Sequence, residues 1–311
     1  MARRIPAVGA GRIAERCEVR EGGLGATPEA IGELAQGVAA IVADPTVAVG
    51  SELLDAAGPG LKIVANFAVG YDNIDLDACR ERGVIATNTP DVLTDATAEL
   101  ALALTLAAAR GLPAAERRLR DGEWTGFDTT GDLGTGLSGA TFGIVGMGRI
   151  GRRYAELVRP MAGSILFTAR GPKPEAEAAL GAARADLERL LRNSDVVSIH
   201  AAATAATAGL IGTRELRLMQ PAAILVNTAR GSLVDSAALA TALADGTIAA
   251  AGLDVYEKEP AVPAELLAAP NCVLLPHVGS ATVSARDGMA GLVADSVLAA
   301  LDGREPPNRV A

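Results

Sequence analysis

Thr141-Phe142-Gly143-Ile144-Val145-Gly146-Met147-Gly148-Arg149-Ile150-Gly151 decides the fold of this chain. A short apolar run ends in Gly146-x-Gly148-x-x-Gly151 and opens a helical pattern. That predicts a strand, a tight turn and a helix N-terminus. Gly146 permits the sharp turn, Gly148 lets backbone approach a pyrophosphate, and Gly151 lets the helix pack close to the strand. The helix start then offers unpaired N–H groups and partial positive charge to phosphates.

The surrounding composition is compatible with that reading. The chain has 311 residues, room for one large or two ordinary domains. Half are hydrophobic, many of them alanine, and only 3% are aromatic. A net charge of −9 argues against nucleic acid and anionic membranes as partners. Cys17, Cys79 and Cys272 form no C-x-x-C pair. A sparse, odd set fits reduced thiols in a cytoplasmic protein. Arg3 and Arg4 precede no apolar run, so no secretory leader is expected. The longest apolar stretch, Leu100 to Ala109, is too short to span a bilayer.

Upstream of the motif, strands and helices alternate. Thr27-Pro28-Glu29 reads as a capped helix start. Strands are predicted at Ala40–Ala43, Leu61–Phe67 and Val84–Thr87, with helices at Ser51–Ala57 and from Asp75 to a C′ glycine at Gly83. This βα rhythm implies a parallel sheet. Thr94 to Arg110 is a long helix, apolar nearly all round and therefore buried. Gly111 to Gly139 shows little pattern and reads as an arm or long connection. After the motif, strands are predicted at Ser164–Ala169, Val196–His200, Ala223–Thr228, Ile248–Val255 and Cys272–Leu275. A last helix covers Ala281–Leu301. Met1 to Pro6 leaves no room for a full first strand, so either the domain is short there or its start lies upstream.

Only two histidines exist, His200 and His277. His200 closes the run Val196–Ile199 and reads as a strand-end residue without a proton role. His277 follows the Cys272–Leu275 strand, at the carboxyl edge where open α/β sheets bind ligands. Arg230 and the acids Glu257 and Glu259 follow comparable strands. An arginine holds a carboxylate through two N–H groups. A glutamate beside a histidine keeps it protonated for donation to a carbonyl oxygen. The set suits reduction of a 2-keto acid by hydride from a nicotinamide.

Six segments together resemble the D-isomer-specific 2-hydroxyacid dehydrogenases. They are Val69–Asp75, Thr94–Glu99, the glycine motif, Asn227–Gly231, Gly252–Val255 and Pro276–Thr282, in the family's order. The Asn66–Asp75 and Leu93–Glu99 segments most resemble its glyoxylate/hydroxypyruvate reductase branch. The resemblance implies an α/β fold of two doubly wound parallel-sheet domains. A Rossmann cofactor domain (96–282) interrupts a flavodoxin-like substrate domain (1–95 and 283–311). It implies Arg230 as the carboxylate anchor and His277 as acid/base paired with Glu259. Val69, Gly70 and Ser280 would meet the substrate. Thr97, Gly146, Gly148, Arg149, Ile150, Gly151, Ala169, Arg170, Thr228, Asp254 and Gly279 would line the cofactor. No residue is assigned to a metal. Such enzymes usually dimerise through the cofactor domain, so a homodimer is implied.

Three departures from the family pattern matter. NAD-specific members end the second cofactor-domain strand with an acid for the ribose 2′-OH. Here that strand ends in Ala169-Arg170, with Lys173 nearby, which favours NADP (NADPH) and leaves NAD as the alternative. The family's His-x-Pro is His200-Ala201-Ala202 in this chain. Its Trp-x-Pro segment is absent from Asp128–Gly136. The expected activity is reduction of glyoxylate or hydroxypyruvate. The alternatives are a D-3-phosphoglycerate or other D-2-hydroxyacid dehydrogenase, and a non-catalytic cofactor-sensing partner of the corepressor kind.

Overall fold

The computed structural model describes residues Met1–Ala311, which divide into two compact units. The first comprises Met1–Thr94 and Ser280–Ala311, the second Asp95–Gly279. Ser280–Thr282 thus fall outside the expected 96–282 segment. The reason is local: the Thr282 hydroxyl accepts the Ala285 N–H and caps the last helix, so this stretch belongs with that helix.

In the first unit the order is α1 (Ala7–Ala14), α2 (Pro28–Ala35), β1 (Ala40–Ala43), α3 (Ser51–Ala57), β2 (Ile63–Asn66), α4 (Leu76–Glu81) and β3 (Ile85–Thr87). The three strands form a parallel sheet in the order β1-β2-β3. Thr27 caps α2 and Asp75 caps α4, each by accepting an N–H three residues on. Gly83 follows α4 at φ +66°, a conformation side chains disfavour. Ahead of α1 there is no strand; the Ala2 N–H donates to the Val42 carbonyl instead. The apolar sides of β1, β2, α2, α3 and α4 close on one core around Ile41, Val64, Leu54 and Cys79.

The second unit holds α5 (Thr94–Ala109, whose first residue closes the first unit), α6 (Leu112–Arg120), β4 (Ala140–Val145), α7 (Arg149–Val158), β5 (Ala162–Thr168), α8 (Pro174–Leu180), β6 (Ala183–Arg184) and α9 (Leu187–Asn193). Then follow β7 (Val196–Ile199), α10 (Thr213–Leu216), β8 (Ile224–Asn227), α11 (Ser236–Ala244), β9 (Ala250–Leu253), α12 (Ala264–Ala268) and β10 (Cys272–Leu274). Its seven strands are all parallel, in the order β10-β9-β8-β7-β4-β5-β6. The order reverses between β4 and β7, the switch point where such sheets bind ligands. Apolar cores cover both faces of this sheet, as parallel sheets require. The chain's last helix, α13 (Val283–Leu301), returns to the first unit. There it meets α1 so closely that a methyl group on Gly9 would stand 2.2 Å from the Ala290 carbonyl oxygen.

The expected unpatterned stretch Gly111–Gly139 contains α6. That helix buries no residue, and its two leucines, Leu112 and Leu119, are exposed, so no core-facing side announces it. Charge holds it instead: Arg120 pairs with Glu116 one turn back, and Arg118 pairs with Asp132 in the following loop. No single helix is long and apolar enough to cross a membrane.

Candidate active site

The glycine turn is built as its spacing requires. Gly146 sits at φ +100°, and a methyl group on it would stand 2.7 Å from the Ala201 nitrogen. A methyl on Gly151 would stand 2.1 Å from the Gly146 carbonyl oxygen. Gly148 has nothing within 4 Å and is the N-cap of α7 without a capping side chain. The open face at Gly148 and the uncapped N–H groups of α7 form a cradle for an anion. Arg149 is exposed and Ile150 half-buried just beyond it.

Two buried polar atoms support occupation of this sheet edge by a polar ligand. Thr228 Oγ1 and His200 Nδ1 have no hydrogen-bond partner. They follow the neighbouring strands β8 and β7, whose last residues, Asn227 and Ile199, stand in register. Buried polar groups are seldom left unpaired. Burial pushes the His200 imidazole down to about 3, so it is neutral, consistent with no proton role.

At the end of β5, Ala169 and Arg170 are followed by Lys173, with no acid at the strand end itself; the Glu177 carboxylate accepts the Lys173 N–H at 3.4 Å. Arg170 and Lys173 are exposed and make no ion pair. Arg184 on β6 donates to the Ala169 carbonyl at 3.1 Å and adds a third cation. Sequence spacing missed Arg184, because only the pairing of β6 with β5 brings it there.

Arg230, Glu259 and His277 follow β8, β9 and β10, three neighbouring strands. Asn227 shapes the first of these loops: its side chain accepts the Ala229 N–H at 3.0 Å and donates to the Arg230 carbonyl at 2.8 Å. The Arg230 guanidinium donates to the Ala229 carbonyl at 2.8 Å. The Glu259 Oε2 lies 2.6 Å from His277 Nδ1, while its Oε1 accepts the Tyr256 N–H at 3.0 Å. Burial pushes the Glu259 carboxyl up, but the bonds from His277 and Tyr256 and the charge of Arg230 outweigh it, leaving it below the usual value. An ionised carboxylate only accepts, so Nδ1 carries the imidazole proton and Nε2 is the nitrogen left for chemistry.

Asp254 fixes the turn that carries His277. Its carboxylate accepts the Val278 and Gly279 N–H groups at 2.8 and 2.7 Å, and its carbonyl accepts the His277 N–H at 2.9 Å. This holds His277 at φ +55°, an uncommon conformation for a side-chain-bearing residue. Burial pushes the Asp254 carboxyl up against those two bonds. A methyl on Gly279 would stand 3.1 Å from Asp254 Oδ2 and 3.5 Å from Thr97 Cγ2, so Thr97, Asp254 and Gly279 lie together. The Tyr256 hydroxyl donates to the Leu275 carbonyl at 2.9 Å, two residues before His277. Neither the Asp254 anchoring nor the Tyr256 brace is visible in spacing alone.

Val69, Gly70 and Ser280 belong to the first unit. Asn88 donates to the Val69 carbonyl and Asn66 to the Gly70 carbonyl, both at 2.8 Å. These bonds fix the loop by its carbonyls.

A glycine cradle at the switch point and a carboxylate–histidine pair beside an arginine define a nicotinamide-dependent oxidoreductase. A family model described as "D-isomer specific 2-hydroxyacid dehydrogenase, NAD binding domain" matches residues 102–279. A glyoxylate reductase of Thermococcus litoralis is 50% identical over 277 residues, covering 88% of this chain and 83% of the relative. One from Thermococcus onnurineus is 45% identical over 314 residues, covering 99% and 94%. The crystal structure of an NADPH-dependent glyoxylate/hydroxypyruvate reductase from Sinorhizobium meliloti, in complex with NADP and malonate, superposes with a TM-score of 0.86 at 36% identity, covering 100% of this chain and 95% of that one. The chain belongs to the D-isomer-specific 2-hydroxyacid dehydrogenase family and is an NAD(P)-dependent enzyme of it.

Proposed function

We propose that this enzyme reduces glyoxylate to glycolate, accepts hydroxypyruvate, and prefers NADPH. The observation that carries the reading is the 2.6 Å Glu259–His277 pair held on a turn anchored by Asp254, with Arg230 on the adjacent strand end. The dinucleotide is held by the Gly146–Gly151 turn and the α7 N-terminus, with Thr97, Thr228, Asp254 and Gly279 towards its nicotinamide. When bound, the cofactor supplies hydride to the keto carbon. His277 donates the Nε2 proton to the alkoxide that forms. The Nδ1 proton stays on His277, accepted by the Glu259 carboxylate, which stabilises the ring while it is charged. Arg230 binds the substrate carboxylate bidentately. Val69, Gly70 and Ser280 take the substrate contacts the resemblance gives them.

The NADPH preference rests on Arg170, Lys173 and Arg184, and on the missing acid after β5. A 2′-phosphate needs cations there, whereas a bare ribose hydroxyl needs an acceptor. A homodimer is supported by large apolar side chains exposed along one segment, Leu119, Trp124, Phe127 and Leu133. The test is oxidation of NADPH and NADH, in parallel, with saturating glyoxylate and hydroxypyruvate and identification of the product. Turnover with NADPH that yields glycolate supports the reading. No turnover with either keto acid overturns it.

A further inference from the structure

Three successive carbonyls of the loop after β2 are each held by a donor from within the first unit. The Ala68 carbonyl accepts the Thr89 N–H at 2.9 Å. The Val69 carbonyl accepts from Asn88 Nδ2 and the Gly70 carbonyl from Asn66 Nδ2, both at 2.8 Å. The peptides of this loop are trans, the only cis bond of the chain being Glu259–Pro260. A planar trans peptide points its N–H away from its own carbonyl. The three held carbonyls therefore turn the N–H groups of Val69, Gly70 and Tyr71 to the opposite side of the chain.

Asn66 is fully buried and ends β2, and its amide is oriented by half-buried Asn73. Asn73 Nδ2 lies 2.9 Å from both the Asp44 and the Val47 carbonyls. Carbonyls only accept, so the end of Asn73 at those carbonyls is its NH2 group. Its Oδ1 is left to accept from Asn66 Nδ2 at 3.0 Å. Asn66 Oδ1 stands 3.3 Å from Asn73 Nδ2 and closes the amide pair. The NH2 group of Asn66 thus has one proton for Asn73 and one for the Gly70 carbonyl. The main chain pins Asn73 independently: the Val49 N–H donates to the Asn73 carbonyl, and the Asp75 N–H to the Val49 carbonyl, each at 2.8 Å. Asp44 follows β1, Asn66 ends β2 and Asn88 follows β3, so the bonds span the carboxyl edge of the three-stranded sheet.

We propose that Asn66 and Asn73 are positioning residues that set which face the Val69–Gly70 loop turns to the substrate. The loop after β1 orients Asn73, Asn73 orients Asn66, and Asn66 holds the Gly70 peptide. The functional half rests on the substrate contacts proposed above for Val69 and Gly70. Removing the Asn66 amide leaves the Gly70 carbonyl without its interior donor, and the peptide that follows is free to turn.

The experiment measures steady-state kinetics with glyoxylate and NADPH, and amide hydrogen exchange, in wild type, Asn66→Ala, Asn73→Ala and the double variant. Asn66→Ala is expected to raise KM for glyoxylate roughly tenfold, the effect of a lost buried hydrogen bond. Its kcat and its NADPH dissociation constant should stay within about twofold of wild type, since the loop holds substrate and transition state alike. Asn73→Ala is expected to raise KM roughly threefold alone and to add nothing in the Asn66→Ala background, because it acts through Asn66. A purely structural role would lower the melting temperature without this selective rise in KM. Exchange over Val69–Tyr71 is expected to quicken in each variant, while that over Gly146–Gly151 stays as in wild type. If Asn66→Ala does not fold, Asn66→Ser, whose side chain is too short to replace the bond to Gly70, takes its place. A folded Asn66 variant with wild-type KM, a loss confined to kcat, or additive effects in the double variant overturns the proposal. Absence of glyoxylate turnover in wild type refutes the proposed reaction instead. Exchange then decides the loop's orientation alone: a faster rate over Val69–Tyr71 in the Asn66 variant supports it, and an unchanged rate overturns it.

Discussion

Gly231 and Tyr256 meet backbone to backbone: a methyl group on Gly231 would stand 1.9 Å from the Tyr256 carbonyl carbon and 2.4 Å from the Glu257 nitrogen. The loop after Arg230 is therefore seated on the loop that leads to Glu259. Any side chain at position 231 must drive the two apart. Gly231→Ala is expected to cost about 1–3 kcal/mol of stability, the usual penalty of overfilling a packed site. It should also lower kcat/KM for the keto acid by at least tenfold, with cofactor affinity near wild type. Denaturant unfolding and steady-state kinetics check this.

The Glu259 carboxyl lies below its usual value: burial raises it, but the bonds from His277 and Tyr256 and the charges of His277 and Arg230 together outweigh that. A carboxyl lowered on folding contributes stability that is complete above its unfolded value, about 4.3. That contribution is lost as pH falls through the lower folded value. Glu259→Gln removes it. The stability gap between wild type and Glu259→Gln is expected to be constant from pH 8 to about 5 and to close at lower pH. The same variant should lose kcat by at least tenfold, because a neutral amide no longer stabilises the charged ring. Thermal melts across pH, with kinetics at neutral pH, check both.

Arg170 and Lys173 lie on the surface without ion-pair partners. Replacing both with alanine is expected to raise KM for NADPH roughly tenfold, the effect of losing charge-assisted hydrogen bonds. KM for NADH should stay within about twofold. The preference should also weaken as salt rises, since exposed charges are screened.

Leu119 is 58% exposed, Phe127 91% and Leu133 80%. A second copy of the chain is the proposed cover. Leu119→Glu with Phe127→Glu is expected to halve the mass seen by sedimentation equilibrium, while far-UV circular dichroism stays unchanged.

How much of this could be read from sequence differs from residue to residue. Gly146, Gly148 and Gly151 were legible because each acts within a few residues of chain. Arg230, Glu259 and His277 were legible as strand-end charges, because apolar runs mark the strands and strand ends converge on one sheet edge. Helix Leu112–Arg120 was not, since it buries nothing and is held by Arg118–Asp132 and Arg120–Glu116 pairs. The anchoring by Asp254 was also hidden: its spacing shows an acid near the nicotinamide, but only the folded turn shows it holding Val278 and Gly279. Gly231 gave no signal beyond its place after Arg230, because the contact it permits lies 25 residues away in sequence.

The most direct test of the central claim is the initial rate of NADPH oxidation with glyoxylate, in wild type and in His277→Ala, with cofactor binding measured on the same samples. The account predicts rapid oxidation in wild type, a loss of roughly 10²- to 10⁴-fold in the variant, and near-equal cofactor binding in both. A His277→Ala enzyme that turns over glyoxylate at the wild-type rate would contradict it.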